Sequence, residues 1–312
     1  MSDPAVVAAD EPELEQIVTG KQDKPRSLGS DAWHELRRKP TFLISLILIL
    51  IVVAMALFPG LFTHVSPTAA DLNHARGGPS AQAWFGYDVQ GSDVYARAIY
   101  GTRASLLVGV FATLGTVLIG GIVGIVAGFY GRWTDSLLAR FADIFAGMPF
   151  VLGAIVIMLT LNAPGSNPGE TRILSQVVFS IAVLSWPVAM RIMRAATLVA
   201  KQQDYVKAAR GLGAGPLRII FRHLLPNTVA PVMVYATIAL GANIGAEATL
   251  AYLGIGLRPP VVSWGVMISD ARDYVAAAPH ILLFPAAFVS VTVLAFVMLG
   301  DAVRDAFDPK SR

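Results

Sequence analysis

Six stretches of this chain contain no Asp, Glu, Lys or Arg and are long enough to cross a bilayer: residues 41–58, 104–131, 144–169, 173–190, 224–246 and 281–300. A helix needs about 20 apolar residues to cross a hydrocarbon core of about 30 Å. The shortest runs hold eighteen, and polar flanking side chains complete such spans by snorkelling. A backbone in lipid must satisfy its own hydrogen bonds, so the economical fold is an all-α polytopic membrane protein with six transmembrane helices. The balance of residue types agrees: 55% are hydrophobic and 14% charged, too apolar for an ordinary soluble domain.

Basic residues orient the spans. With the N-terminus inside, eighteen of the 24 Lys and Arg fall on cytoplasmic segments, including all six lysines; Arg76, Arg97, Arg103, Arg172, Arg258 and Arg272 fall outside. Both termini are therefore expected in the cytoplasm. The net charge of +3 is accounted for by this asymmetry and does not call for a nucleic-acid partner. With no cysteine in the chain, disulfides and thiolate metal sites are excluded.

In order, residues 1–30 read as a disordered cytoplasmic tail. Residues 31–40 read as an amphipathic interfacial helix with Trp33 and Leu36 toward lipid, followed by the first span at 41–58. Forty residues ahead of that span argue against a signal peptide. Residues 59–103 form an extracytoplasmic segment in which Asp88, Asp93, Arg97 and Arg103 are read as internal ion pairs rather than a binding site. His64 and His74 lack metal-site company. The second span repeats G-x-x-x-G at Gly120, Gly124 and Gly128, a spacing that lets helices approach closely. Pro149 is placed to kink the third span. Residues 104–309 form a core that includes an extracytoplasmic loop at 253–280.

Two features stand out. Glu247 is an acid within a span, which marks a functional suspect; near the outer end, water or an arginine could satisfy it, giving a structural role or a place in a substrate path. Trp264 is placed in an interfacial outer loop, again as a candidate for the path. The other feature is residues 204–226, a charged cytoplasmic segment between two apolar runs. Tyr205, Ala208, Ala209 and Leu212 repeat at helical spacing, as do Leu217, Ile220, Phe221 and Leu224. Gly213-Ala-Gly-Pro216 between them suits a helix end and a helix start. This is a helix-turn-helix at the membrane surface.

The chain has no Gly-x-x-x-x-Gly-Lys-[Ser/Thr], hence no P-loop, and it is not read as an enzyme. The spans carry no series of acids, histidines or arginines of the kind a proton relay or voltage sensor needs. A self-sufficient channel or facilitator stays open on composition.

The segment resembles the "EAA" coupling loop of bacterial ABC-importer permeases, which begins Glu-Ala-Ala, has a glycine four residues after the second alanine and ends near Leu-Pro. Lys207-Ala208-Ala209, Gly213 and Leu225-Pro226 stand in those places. Asp204-Tyr205-Val-x-Ala-Ala-Arg210 and Arg218-Ile-Ile-Phe-Arg-His-x-Leu-Pro-Asn227 resemble the dipeptide/oligopeptide group. So do Phe85-Gly-x-Asp-x-x-Gly-x-Asp93, Glu247-Ala-x-Leu-x-x-Leu-Gly-x-Gly256, Ser263-Trp-Gly265 and Leu299-Gly-Asp-x-x-Arg-Asp-x-x-Asp-Pro309. The resemblance covers roughly 30–309 and points to the C-type of two permease subunits. Lys207 departs from it where an acid is usual, and Gly211 where a small non-glycine residue is commoner.

The resemblance implies a type I ABC-importer permease fold and import of di- or oligopeptides. Implied partners are a second, B-type permease, two ATPase domains that bind ATP and Mg, and an extracytoplasmic binding protein. It also implies that Asp204, Tyr205, Lys207, Ala208, Ala209, Arg210, Leu212, Gly213, Leu217, Phe221, Leu225 and Pro226 meet the ATPase. Nickel or another small solute is the alternative cargo.

Overall fold

A computed structural model describes residues 36–162 and 169–307; the expected tail at 1–30 and Trp33 lie outside them. Among the described residues the chain is nearly all helical, with one isolated bridge between Tyr87 and Asp93. Four long helices correspond to expected spans: α1 (Pro40–Leu57), α2 (Val94–Tyr130), α5 (Glu170–Ala200) and α10 (His280–Phe307). The fifth, α8 (Leu225–Tyr252), continues the short α7 (Pro216–Ile219) through a π turn, Ile220–Leu224.

Several boundaries differ from the sequence reading. Helix α2 starts ten residues before 104, because Asp93 caps it: the Asp93 carboxylate accepts from the Ala96 amide at 2.9 Å. At 37 residues it is about 55 Å long, so its first turns stand clear of the hydrocarbon. The third span is not one helix. Amphipathic α3 (Arg132–Ala146) meets α4 (Phe150–Leu161) at 90°, and Gly147-Met148-Pro149 forms the corner. Pro149 cannot donate a backbone bond, so the expected kink becomes a full break. Helix α4 has 12 residues, about 18 Å. Leu36, expected toward lipid, is instead buried with Phe42, Ala302 and Ala306, where the end of α10 covers it.

Helices α2 and α5 run side by side in the same direction and form the heart of the molecule. A Cβ on Gly120 would stand 2.6 Å from Ala189 Cβ and from the Trp186 carbonyl oxygen. One on Gly124 would stand 2.8 Å from Met193 Cβ, and one on Gly128 2.7 Å from Thr197 Cβ. The glycine repeat is therefore the contact face itself, with backbone against backbone. Lys201 at the end of α5 donates from Nζ to the Gly128 and Phe129 carbonyls, both at 3.0 Å, satisfying the end of α2 with a cation suited to that pole of the helix.

Candidate functional site

The 204–226 segment lies across the shared end of α2 and α5. Helix α6 (Asp204–Gly211) packs Val206 and Ala209 inward; α7 and the π turn bury Ile219, Ile220 and Leu224. Val206, Ile219, Ile220 and Leu224 share a core with Ile125, Met193, Ala200 and Val232. On the other side Tyr205 is 40% exposed, Leu212 89%, Leu217 68% and Phe221 65%. The segment thus has two apolar faces, one holding it to the body of the protein and one turned outward. The expected stripes do not stay together: Ala209, Ile220 and Leu224 go to the inner face and Val206 joins them, while Ala208 is exposed and Leu225 half-buried.

The turn between the arms follows from Gly213, which has φ +79. The Gly213 amide donates to the Arg210 carbonyl and the Ala214 amide to Ala209, both at 3.0 Å. This pair of bonds closes a helix on a left-handed residue that only glycine adopts freely. Pro216 then opens α7 at its first position. The π turn sits directly ahead of Pro226, where a proline would crowd the carbonyl of the preceding turn. Side chains take up carbonyls released there: Asn227 donates to His223 at 2.7 Å and the Thr228 hydroxyl to Leu224 at 3.0 Å. The second arm is accordingly the tip of the fifth spanning helix rather than a separate element.

Charges ring the outward face. Lys207 pairs with Asp204 at 2.9 Å, and the Arg210 guanidinium lies over the Phe129 ring at 5.7 Å. Arg194 of α5 clasps Asp135 of α3 through both carboxylate oxygens, and Arg191 reaches Asp143 at 2.8 Å. These two pairs join α3 to α5, the helix that leads into the segment.

Glu247 and Trp264 sit at the opposite end; Glu247 lies near the end of its span, as expected, whereas Trp264 is not at an interface. Glu247 is fully buried and is held by serines rather than by an arginine among the described residues: Ser263 Oγ donates at 2.9 Å and Ser105 Oγ at 3.2 Å. Those hydroxyls accept in turn from the Val266 and Trp264 amides, at 3.1 and 3.2 Å. Ser263 caps α9 (Trp264–Ala271), so one carboxylate joins α2, α8 and α9. Trp264 is fully buried, donating from Nε1 to the Ala98 carbonyl at 2.9 Å; it is a core residue, not an interfacial anchor. Ser105 and Ser263 escaped the sequence reading as partners, although a serine opening a helix was a visible sign.

Of the charges expected to pair in the outer segment, Arg97 and Asp88 do so, Asp93 caps α2 instead and Arg103 is exposed. Arg97 is buried against Asp88 and reaches Asp270 of α9 at 3.5 Å. Burial pushes the Asp270 carboxyl above its ordinary value, more than Arg97 lowers it, and Asp88 adds to the rise. Among the described residues no group of His, Asp and Glu has the arrangement of a metal site.

Comparison with known proteins places this architecture. The family model described as "binding-protein-dependent transport system inner membrane component" matches residues 120–312, and that of the "N-terminal TM domain of oligopeptide transport permease C" matches 27–79. The dipeptide transport system permease protein DppC of Alkalihalophilus pseudofirmus is 36% identical over 282 residues, 90% of each chain. The glutathione transport system permease protein GsiD of Pectobacterium atrosepticum is 35% identical over 279 residues, 89% of this chain and 90% of that one. In fold, the chain resembles the inward-facing MetNI methionine ABC transporter, with TM-score 0.54 at 18% identity over 67% of this chain and 96% of that one. The chain therefore belongs to the binding-protein-dependent transport system inner membrane component family, the multi-pass inner-membrane permease subunits of ABC importers, within its peptide-transport branch.

Proposed function

We propose that this chain is a permease subunit of an ATP-driven importer of di- or oligopeptides, and that the 204–226 segment is its contact with the ATPase. The observation that carries this reading is the outward apolar face of Tyr205, Leu212, Leu217 and Phe221, on a segment anchored from beneath by a separate buried face. Exposed apolar residues rimmed by charge mark a protein-binding surface. The basic asymmetry of the loops puts that face in the cytoplasm, where an ATPase would meet it.

In this reading the chain supplies no nucleotide chemistry; ATP and Mg belong to two ATPase domains. A second permease completes the pathway and an extracytoplasmic binding protein delivers cargo. Closure of the ATPase pair pulls on Leu212, Leu217 and Phe221, and the Arg194–Asp135 clasp and the Lys201 contacts pass the displacement to α2, α3 and α5. Access then alternates between two packings of the helices. The names of the dipeptide and glutathione relatives favour a small peptide as cargo.

The test is Gly213→Arg in the assembled transporter. A Cβ at Gly213 meets no atom within 4 Å, so the variant acts through its φ, opening the turn and misplacing Leu212 against Leu217. Loss of ATPase association together with ATP-coupled uptake is expected. If both stay at the parent level, the segment is not the coupling contact.

A further inference from the structure

Helix α3 carries a second surface that the coupling reading leaves unused. Its inner side packs Ala142, with Leu138 and Phe145, against Ala127, Trp186 and Met190. Its two acids, Asp135 and Asp143, are engaged by Arg194 and Arg191 of α5. What remains faces outward in two adjoining strips. One is apolar: Trp133, 89% exposed, with Leu137, Phe141 and Ile144, at helical spacing. The other is basic: Arg132 and Arg140 border a cleft of about 650 Å³ that also includes Trp133, Ser136 and Leu137. Neither arginine has an ion-pair partner among the described residues, although acids stand on the same helix.

Orientation and backbone add to this. Helix α4 leaves α3 at 90°, so α3 lies across the direction of the span that follows it. Arg132 has φ +50, an unfavourable conformation for a residue with a side chain; it directly follows Gly131, also left-handed at φ +67, at the corner between α2 and α3. An in-plane helix with a tryptophan-led apolar strip beside unpaired arginines has the make-up of an element seated at the lipid–water boundary. Guanidinium groups match phosphate oxygens in geometry as well as charge.

We propose that α3 rests in the membrane interface with its apolar strip among acyl chains, and that Arg132 and Arg140, with the Ser136 hydroxyl between them, hold the headgroup phosphate of an anionic phospholipid. The coupling reading enters only in naming the leaflet as the inner one; the headgroup chemistry is independent of it.

The experiment uses the full chain in nanodiscs of phosphatidylcholine carrying equal mole fractions of either brominated phosphatidylglycerol or brominated phosphatidylcholine. The fluorescence difference between the chain and its Trp133→Phe variant isolates Trp133. Bromine should quench Trp133, and the phosphatidylglycerol should do so preferentially. Arg140→Gln should cut that preference about fivefold, the worth of one basic side chain at an anionic surface. Arg132→Lys/Arg140→Lys, which keeps both charges, should retain most of it and shows that the fold survives. Equal quenching by the two lipids overturns the proposal, as does a preference that Arg140→Gln leaves intact. Absence of quenching by either lipid also overturns it.

Discussion

Lys207 stands where relatives of this loop are expected to carry an acid, yet its surroundings demand little of its charge. It is exposed and, among the described residues, pairs only with Asp204, itself almost fully exposed. A surface pair of this kind contributes about 0–1 kcal/mol. Lys207→Glu is accordingly expected to leave ATPase association within about twofold of the parent in a binding titration, in contrast to Gly213→Arg. Glu247 is the opposite case. Its carboxylate receives two buried hydroxyls that themselves cap backbone amides. Glu247→Ala would leave both donors without an acceptor, at a cost of about 2–4 kcal/mol; Glu247→Gln keeps an acceptor oxygen and should cost about half as much. Thermal unfolding of the purified chain in detergent reads both. If Glu247→Ala were as stable as the parent but failed in uptake, the residue would belong to the substrate path after all.

At the scale of elements, the glycine seam between α2 and α5 gives a sharp contrast. A methyl on Gly120 would meet the Trp186 carbonyl and Met190 amide of α5, whereas one on Gly121 first meets the flexible end of Met193 at 3.6 Å. Gly120→Ala should lower stability by about 1–3 kcal/mol through overpacking. Gly121→Ala should be neutral or slightly stabilising, since alanine is the better helix former; heat denaturation of the two variants side by side makes the comparison. The seam was legible in the sequence because spacing of small residues is itself the packing rule. The capped turn at Gly213 was legible because glycine and proline punctuate helices by their own backbone limits. The split of the third span was not. An uncharged run from 144 to 169 meets the test of length and hydropathy, and only the corner at Gly147-Met148-Pro149 decides that its first residues belong to an in-plane helix. The two-faced character of the 204–226 segment was hidden for a related reason: a helical repeat says which residues align, not how many surfaces they meet, and the π turn shifts the alignment between Leu217 and Leu224.

For the whole molecule, the outer end is drawn together by Arg97, which reaches both Asp88 near the start of α2 and Asp270 in the last third of the chain. The raised Asp270 carboxyl has a consequence for pH. In the unfolded chain it ionises near its ordinary value of 3.8, whereas in the folded protein it holds its proton to higher pH. Its contribution is complete below that ordinary value and is lost as pH rises through the raised one. Acidification from neutral should therefore raise the hydrogen-exchange protection factors of amides around α9, after correction for the intrinsic pH dependence of exchange, and Asp270→Asn should remove this rise; an unchanged response in the variant would refute the assignment. No sequence pattern paired residues 97 and 270, because their meeting depends on how α9 folds back over α2. Mechanically, the α2–α5 seam leaves these two ends no slip plane. With backbone against backbone along three glycines, the helices bend or tilt as one beam, supported at one end by Arg97 and, in the coupling we propose, loaded at the other by the 204–226 segment. In that proposed coupling, a disulfide engineered to lock the Arg97 support would be felt as stiffness at the 204–226 tip, some 50 Å away, and ATP hydrolysis by the partner ATPase would slow without any change in the residues of that tip.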